Sequence, residues 1–205
     1  MTISMYQVSV PVFLRNLTAL NAVLDKAAAF AEARKLDQTA LLSYPDQDHI
    51  NHVHHAGNSS GVVDGAAAVL YASESYMRAH GLTPRARIVA SGNMGDDPTL
   101  MLNAPVPSAR KILKRAGMTL DDIDLFEINE AFAVVSEKFM RDLELDRDKV
   151  NVNGGAMALG HPIGATGAIL IGTMLDELER RDKSVGLVTM CAGGGMAPAI
   201  IIERV

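Results

Sequence analysis

The spacing of apolar residues divides this chain into two parts. In the first part, apolar residues recur every three or four positions between residues 13 and 35, which predicts one amphipathic helix. Residues 42–51 then carry polar side chains and a Tyr-Pro pair without periodicity, and they predict a boundary or linker. We therefore expect residues 1–47 to form a helical appendage with its linker. The helical stripe consists of Phe13, Leu17, Leu20, Leu24, Ala28 and Ala31.

From residue 56 onward, strand-like and helix-like stretches alternate along the chain. This alternation predicts an α/β layer fold, and Gly117 is placed to end one of its helices. The last two strands flank a run of glycines and predict a tight hairpin. Residues 65–72 are apolar and belong to the same alternation. The predicted strands are residues 86–90, 123–128, 185–190 and 197–202, and the predicted helices are residues 74–80, 107–116, 131–143 and 164–180.

Composition narrows the classes of function. With 205 residues and 48% hydrophobic content, the chain can bury one good core. A net charge of -5 without clustered Lys and Arg argues against a nucleic-acid surface. The longest apolar run, residues 168–175, is too short to cross a bilayer, and the start lacks the basic region of a signal peptide. One cysteine excludes an internal disulfide framework, so the sequence predicts a cytoplasmic protein without a membrane role.

A glycine-rich loop, residues 153–160, belongs to a motif that continues to Gly167 and leads into a predicted helix, where backbone amides and the helix dipole favour negative charge. A Walker loop is excluded because no Gly-Lys-Ser/Thr follows, and a dinucleotide fingerprint fits the glycine spacing badly. His161 lies between Gly160 and Pro162, so its ring can be held near a ligand as a general base or an oxyanion donor. Tight packing and a structural histidine are the alternative interpretations.

Cys191 ends an apolar strand and precedes three glycines. Because glycines have no side chains, their amides can approach a substrate oxygen and stabilise a thiolate. A lone cysteine is more often a small buried hydrophobe. Asn129 likewise stands between a strand and a helix, where its amide can hold a water, although a helix N-cap would be a sufficient structural reason for it.

Three motifs occur together in the last eighty residues: Asn129-Glu-Ala-Phe132, Gly160-His-Pro-Ile-Gly164 and Cys191-Ala-Gly-Gly-Gly195. With the upstream segments at residues 56–68, 95–98 and 104–107, they resemble the thiolase family, in particular the C-terminal domain of acetyl-CoA acetyltransferases and 3-ketoacyl-CoA thiolases. The resemblance covers about residues 56–205. It implies an α/β fold in which a mixed five-stranded sheet lies between helices.

The resemblance also implies catalytic roles. His161 would activate the nucleophilic cysteine of the family and donate to the thioester oxygen, and Asn129 would hold the water that completes this oxyanion site. Cys191 would take the α-proton of acetyl-CoA in Claisen condensation and return it in thiolysis. The implied function is an acyltransferase of fatty acid metabolism or β-oxidation.

Substrate contacts follow from the same resemblance. Ser60 would line the pantetheine channel, Phe132 would contact the substrate, and the amide of Gly193 would serve a second oxyanion site. Coenzyme A thioesters are the expected substrates, and no cofactor or metal is expected. Either a homo-oligomer or association with a thiolase N-terminal half is the expected assembly.

The departures from the family pattern concern the first part of the chain. In the family, the acyl-accepting cysteine lies in an N-terminal copy of the fold, whereas residues 1–47 contain no cysteine. We therefore expect a domain that is incomplete alone. The alternative is a non-catalytic interaction domain or a rearranged-gene product. Residues 1–45 resemble a different family of uncharacterised, DinB-like helical bundles, through Met-Thr-Ile-Ser-Met-Tyr-Gln, Ser-Val-Pro-Val-Phe-Leu and Leu-Asp-Lys-Ala-Ala-Ala.

Two other interpretations of the sequence are weaker. The histidines of residues 49–55 could form a metal cluster, but no carboxylate or thiol stands beside them in a recognisable pattern. They are better explained as a polar junction. A nicotinamide-dependent oxidoreductase is disfavoured because no acidic residue follows the glycine loop on a second strand.

Overall fold

The structure is a computed structural model that describes residues 2–3 and 37–205. The amphipathic helix predicted for residues 13–35 lies outside the described residues. Within them, residues 37–43 are helical and residues 44–55 have no regular structure. No helix in this part of the chain has the length and apolar character needed to span a membrane.

A mixed sheet forms the centre of the fold, as predicted, but only four of its five strands come from residues 56–205, and the fifth is Thr2–Ile3. Its strand order is β1-β2-β5-β4-β3. Among the strands that the structure describes, only β3 and β4 are parallel, and every other neighbouring pair is antiparallel. The predicted hairpin at the end of the chain is confirmed, because β4 pairs antiparallel with β5. The strands are β1 (Thr2–Ile3), β2 (Ala86–Gly95), β3 (Leu125–Ile128), β4 (Val185–Thr189) and β5 (Met196–Arg204).

In the described part of the chain, five labelled helices accompany the sheet, in addition to the helical residues 37–43. The helix that the sequence predicted for residues 107–116 starts two residues earlier, and Gly117 ends it at a φ of 69° with its N–H donated to the carbonyls of Leu113 and Lys114. Three short 3-10 turns, Ala56–Asn58, Leu120–Asp122 and Arg147–Lys149, connect other elements. The helices are α1 (Glu74–His80), α2 (Pro105–Ala116), α3 (Ala133–Asp142), α4 (Ala156–Leu159) and α5 (Thr166–Arg180).

The two faces of the sheet carry separate hydrophobic clusters. Helices α2 and α3 cover one face, where Phe126 and Phe139 pack edge to face with ring centroids 6.4 Å apart. Helix α5 covers the other face over β3 and β4, and its Met174, Leu175 and Leu178 are buried there. Beside α5, an open groove of about 290 Å³ lies over β2 and β5.

The apolar stretch at residues 65–72 forms neither a helix nor one of the labelled strands, and of these residues only Ala72 is buried. A short apolar run without alternation does not predict either element by itself. One prediction about local structure was wrong. The loop at residues 153–160 contains the short helix α4, whose Ala-Met-Ala-Leu sequence consists of good helix formers.

Candidate functional site

The parallel pair β3 and β4 brings two of the candidate residues to one edge of the sheet. Asn129 directly follows β3, and Cys191 lies two residues beyond the end of β4. The backbone N–H of Asn129 donates to the carbonyl of Thr189 over 3.1 Å, which joins the two strand ends. Both candidates therefore occupy the carboxyl edge of the same strand pair.

Asn129 is not a helix cap, so the alternative interpretation of this residue is wrong. Helix α3 starts at Ala133 and its N-cap is Phe132, three residues further along the chain. The Asn129 side chain is only 1% exposed, and its Oδ1 atom has no hydrogen-bond partner among the described residues. Its Nδ2 atom lies 3.4 Å from Nε2 of His161. A buried, unpaired amide oxygen is costly to a fold, and such an atom calls for a functional explanation.

His161 is held from two sides. Its backbone N–H donates to the carbonyl of Gly61 over 2.8 Å, and its Nδ1 atom lies 2.7 Å from Oγ1 of Thr166. The Thr166 hydroxyl donates to the carbonyl of Pro162 over 3.0 Å. Burial lowers the pKa of His161 below its usual value of 6.5, because the charged imidazolium loses solvation. The ring is therefore neutral at pH 7.

Cys191 is buried, with 8% of its surface exposed. Burial raises the pKa of its thiol above the usual value of 9.0, because a thiolate would lose solvation there. The glycines that follow form a tight turn closed by hydrogen bonds between Ala192 and Met196. Gly193, in that turn, is exposed, and a Cβ atom added to it would have no neighbour within 4 Å.

Gly195 explains why the turn needs glycine. Its φ is 77°, and an added Cβ would lie 2.7 Å from the carbonyl oxygen of Asp97. The carbonyl of Gly195 accepts the backbone N–H of Asp96 over 2.7 Å. The loop at residues 96–103 therefore fixes the shape of the turn that follows Cys191.

The segment that contains Ser60 connects the asparagine loop with the histidine loop. Ser60 donates its backbone N–H to the carbonyl of Ala131 over 2.9 Å, and Ser59 forms a bridge with Phe132. Two residues further on, Val62 forms a bridge with His161. Phe132 also contacts the ring of His54, with centroids 4.9 Å apart.

The structure thus brings Asn129 and His161 into direct contact, and it connects Ser60 and Phe132 to them through neighbouring residues only. Cys191 and Gly193 follow the adjoining strand end. Sequence reasoning missed Thr166, the residue that contacts the imidazole from the other side. A hydroxyl residue in the first turn of α5, five positions after His161, was the available signal.

Three of the histidines in residues 49–55 contact different residues and do not share a partner. His49 contacts Asp48, His52 lies 2.8 Å from Asp37, and His55 accepts the N–H of Gly57. Within the described ranges, no group of three or more His, Cys, Asp or Glu side chains is arranged to hold a metal ion.

Comparison with known proteins identifies both parts of the chain. The family described as "Thiolase, C-terminal domain" matches residues 82–204. A second family, "Domain of unknown function (DUF1993)", matches residues 5–46. The prediction that the first residues come from a different, uncharacterised family is therefore confirmed.

Among curated relatives, an acetyl-CoA acetyltransferase of Escherichia coli (strain K12) is 52% identical over 149 residues, which cover 73% of this chain and 38% of the relative. A 3-oxoadipyl-CoA/3-oxo-5,6-dehydrosuberyl-CoA thiolase of the same organism is 46% identical over 198 residues, which cover 96% of this chain and 49% of the relative. The chain thus spans less than half the length of these relatives.

Solved structures agree with the sequence comparisons. A crystal structure of human mitochondrial 3-ketoacyl-CoA thiolase in complex with CoA has a TM-score of 0.71 and 47% identity, and the match covers 73% of this chain and 38% of that chain. The acetyl-CoA acetyltransferase of Bacillus anthracis has a TM-score of 0.71 and 45% identity over the same shares. The chain belongs to the thiolase C-terminal domain family.

Proposed function

We propose that this chain is a thiolase-type acyltransferase domain that acts on acyl-CoA thioesters. The observation that carries the proposal is the orphaned, buried Oδ1 of Asn129, whose amide lies beside a neutral imidazole at the same sheet edge as Cys191. A solved relative in complex with CoA supports coenzyme A thioesters as the ligand class.

Asn129 and His161 would stabilise negative charge on the thioester oxygen. A water that donates one proton to the Asn129 Oδ1 has a second proton to donate to the substrate. The Nε2 atom of His161 lies 3.4 Å from the Asn129 amide, so both groups face the same point. A protonated His161 would therefore donate to the thioester oxygen as well. Donors placed where charge develops often contribute most of an enzyme's rate enhancement.

Cys191 would act as the base for the α-carbon of acetyl-CoA. Its thiolate takes the α-proton, the C–H electron pair forms the enolate, and the charge moves to the thioester oxygen. The Gly193 amide, in the turn shaped by Gly195, is the proposed donor of a second oxyanion site. In thiolysis, the Cys191 thiol returns the proton to the leaving enolate.

Complete acyl transfer requires a nucleophile in addition to the base. Cys191 is the single cysteine of these 205 residues, and it cannot be both the acyl acceptor and the base in one step. We therefore expect this polypeptide alone to exchange α-protons without thiolysis. Association with a thiolase N-terminal half, or with another chain that supplies a thiol, would complete the reaction.

The protonation states make this exchange slow. It needs a Cys191 thiolate together with a protonated His161, although the pKa of Cys191 is above 9.0 and that of His161 is below 6.5. These opposite shifts make the form with both groups ionised rare at any pH. A thiol of another chain that gave its proton to His161 would supply the protonated imidazole, and only the Cys191 thiolate would then have to form.

The test is proton NMR of acetyl-CoA in heavy water with the pure chain, following deuterium entry into the methyl group. We expect slow exchange that Cys191→Ala abolishes, because the base is lost. Asn129→Ala keeps the thiol and should slow exchange by about 100-fold or more, as expected when an oxyanion donor is removed. Melting temperatures verify that both variants are folded. Exchange that survives in Cys191→Ala would contradict the proposal.

The open groove beside α5 supports a second candidate, a non-catalytic interaction domain. An apolar sheet face that no described element covers favours association with another protein. The absence of exchange, combined with self-association in light scattering, would favour this candidate. A monomer that exchanges the acetyl protons would count against it.

A further inference from the structure

We infer that Thr166 is the positioning residue that holds His161 with its proton on Nδ1, so that Nε2 faces the site with a free electron pair. This assignment stands on the geometry around the ring. Its use in catalysis rests on the proposed function, in which His161 takes a proton from a thiol.

The direction of the Thr166 hydroxyl proton decides the assignment. Thr166 is 3% exposed and lies in the first turn of α5, where its Oγ1 is 3.0 Å from the carbonyl oxygen four residues earlier, that of Pro162. Donation to the i−4 carbonyl is the usual bond of a threonine hydroxyl in a helical turn. We assign the single hydroxyl proton to this bond, although the same carbonyl also accepts the backbone N–H groups of Ala165 and Thr166. In this assignment the hydroxyl offers only lone pairs toward the ring.

In the contact between Thr166 and His161, the ring nitrogen is then the donor and the hydroxyl oxygen is the acceptor. Nδ1 lies 2.7 Å from Oγ1, a normal hydrogen-bond distance that requires a proton on Nδ1. A neutral imidazole has one N–H, so Nε2 is the acceptor. The Asn129 Nδ2 group, 3.4 Å away, faces this acceptor with an N–H donor. The same amide orientation leaves its Oδ1 available for a water.

The consequence is a ring prepared to accept a proton rather than to give one. An imidazole with its proton on Nε2 would face the site as a donor and could not take a proton from a thiol there. In a serine protease, disturbing the tautomer of the catalytic histidine lowers the rate by about 10⁴-fold, which shows how much such orientation can matter.

The experiment is long-range ¹H–¹⁵N NMR of the histidine rings in the full chain at about pH 8.5, well above the pKa of His161. His161→Gln identifies its signals among those of the six histidines. We expect a protonated Nδ1 and a bare Nε2 in the native protein. A native ring with its proton on Nε2 would overturn the inference without any variant of Thr166.

Two variants of Thr166 separate positioning from packing. Thr166→Val keeps the shape and removes the acceptor, so the two nitrogen shifts of His161 should move toward tautomer-averaged values. Thr166→Ser restores the hydroxyl and should restore the native spectrum. Unchanged nitrogen shifts in a folded Thr166→Val protein would overturn the inference. Because these spectra need no acyl-CoA, a failure of acetyl-CoA exchange would count against the proposed function alone.

Discussion

The two faces of the central sheet differ in how they are filled. The face under α2 and α3 has seventeen buried hydrophobic residues in one cluster, whereas the face under α5 has seven among the described residues. The α5 face also buries two carboxyl groups, Glu127 and Glu177, and borders the open groove. Apolar burial therefore stabilises mainly the first face, while the second face holds ionisable groups close to the candidate site.

Glu127 and Glu177 lie on the same face of the sheet, but the pKa values of their carboxyl groups are shifted in opposite directions. Burial, with Glu130 and Glu177 nearby, raises the pKa of Glu127 to about 8. Glu177 has its pKa lowered to about 2, first by the hydrogen bond from Arg180 and then by those from Asn153 and Arg181. Glu127 precedes Asn129 by two residues at the same strand end, so the carboxyl with the raised pKa lies near the site.

The largest effect is expected on the apolar face. Phe139→Ala removes a ring that is 1% exposed and packs on Phe126, and it should lower the free energy of unfolding by about 3–5 kcal/mol. No ionisable group is removed, so the loss should be the same at pH 5 and pH 8. Urea denaturation at both pH values measures it. If the loss of unfolding free energy changed strongly with pH, it would contradict the conclusion that apolar burial alone stabilises this face.

The next effect belongs to the α5 face and depends on pH. The folded-state pKa of Glu127, about 8, lies above its usual value of 4.5. The contribution of the neutral Glu127 carboxyl to the free energy of unfolding is therefore complete below pH 4.5, and it is lost as pH rises toward 8. Ionising the buried group costs up to about 4 kcal/mol by pH 8.

Glu127→Gln should remove this part of the pH dependence. Subtracting the unfolding free energies of the variant from those of the native protein cancels all other titrating groups. We expect the free energy of unfolding of the variant to rise steadily relative to that of the native protein between pH 4.5 and 8. Parallel curves for the two proteins would show that Glu127 does not titrate in this range.

The smallest effect is expected where α5 is tied to β2 by charge. Arg85 donates to Glu179 over 2.9 Å and to Asp176 over 2.6 Å, at a partly exposed position. Arg85→Met should cost at most about 1 kcal/mol at low salt, and less at high salt because exposed charges are screened. Arg78→Met, which breaks the single pair with Glu74 on α1, is the matched control. A salt-independent loss for Arg85→Met would point to packing instead.

Sequence patterns predicted the layers of this fold better than its details. The alternation of strands and helices was recognisable because the elements from Ala86 to Arg204 have strong apolar periods and glycine stops such as Gly117. The end of β2 was missed because Ser-Gly-Asn-Met-Gly has little strand character. Pairing with β5 holds these residues extended in spite of their composition.

The candidate site was predicted in part for the same reason. Asn129, His161 and Cys191 belong to three short motifs whose joint occurrence can be recognised in the sequence. The unpaired Oδ1 of Asn129 and the raised pKa of Glu127 arise from burial by residues far away in the sequence, so no local pattern contains them. The roles of these residues in catalysis stay predictions until exchange is measured.

The contact between His161 and Thr166 also has a consequence for the order of folding. It joins residues five positions apart, whereas the contact between His161 and Asn129 joins residues 32 positions apart. Contacts between near neighbours close faster than distant ones, since less chain entropy is lost. We therefore expect the imidazole to be oriented as the first turn of α5 forms. The pairing of β3, β4 and β5 then brings Asn129 and Cys191 to an imidazole whose direction is already set.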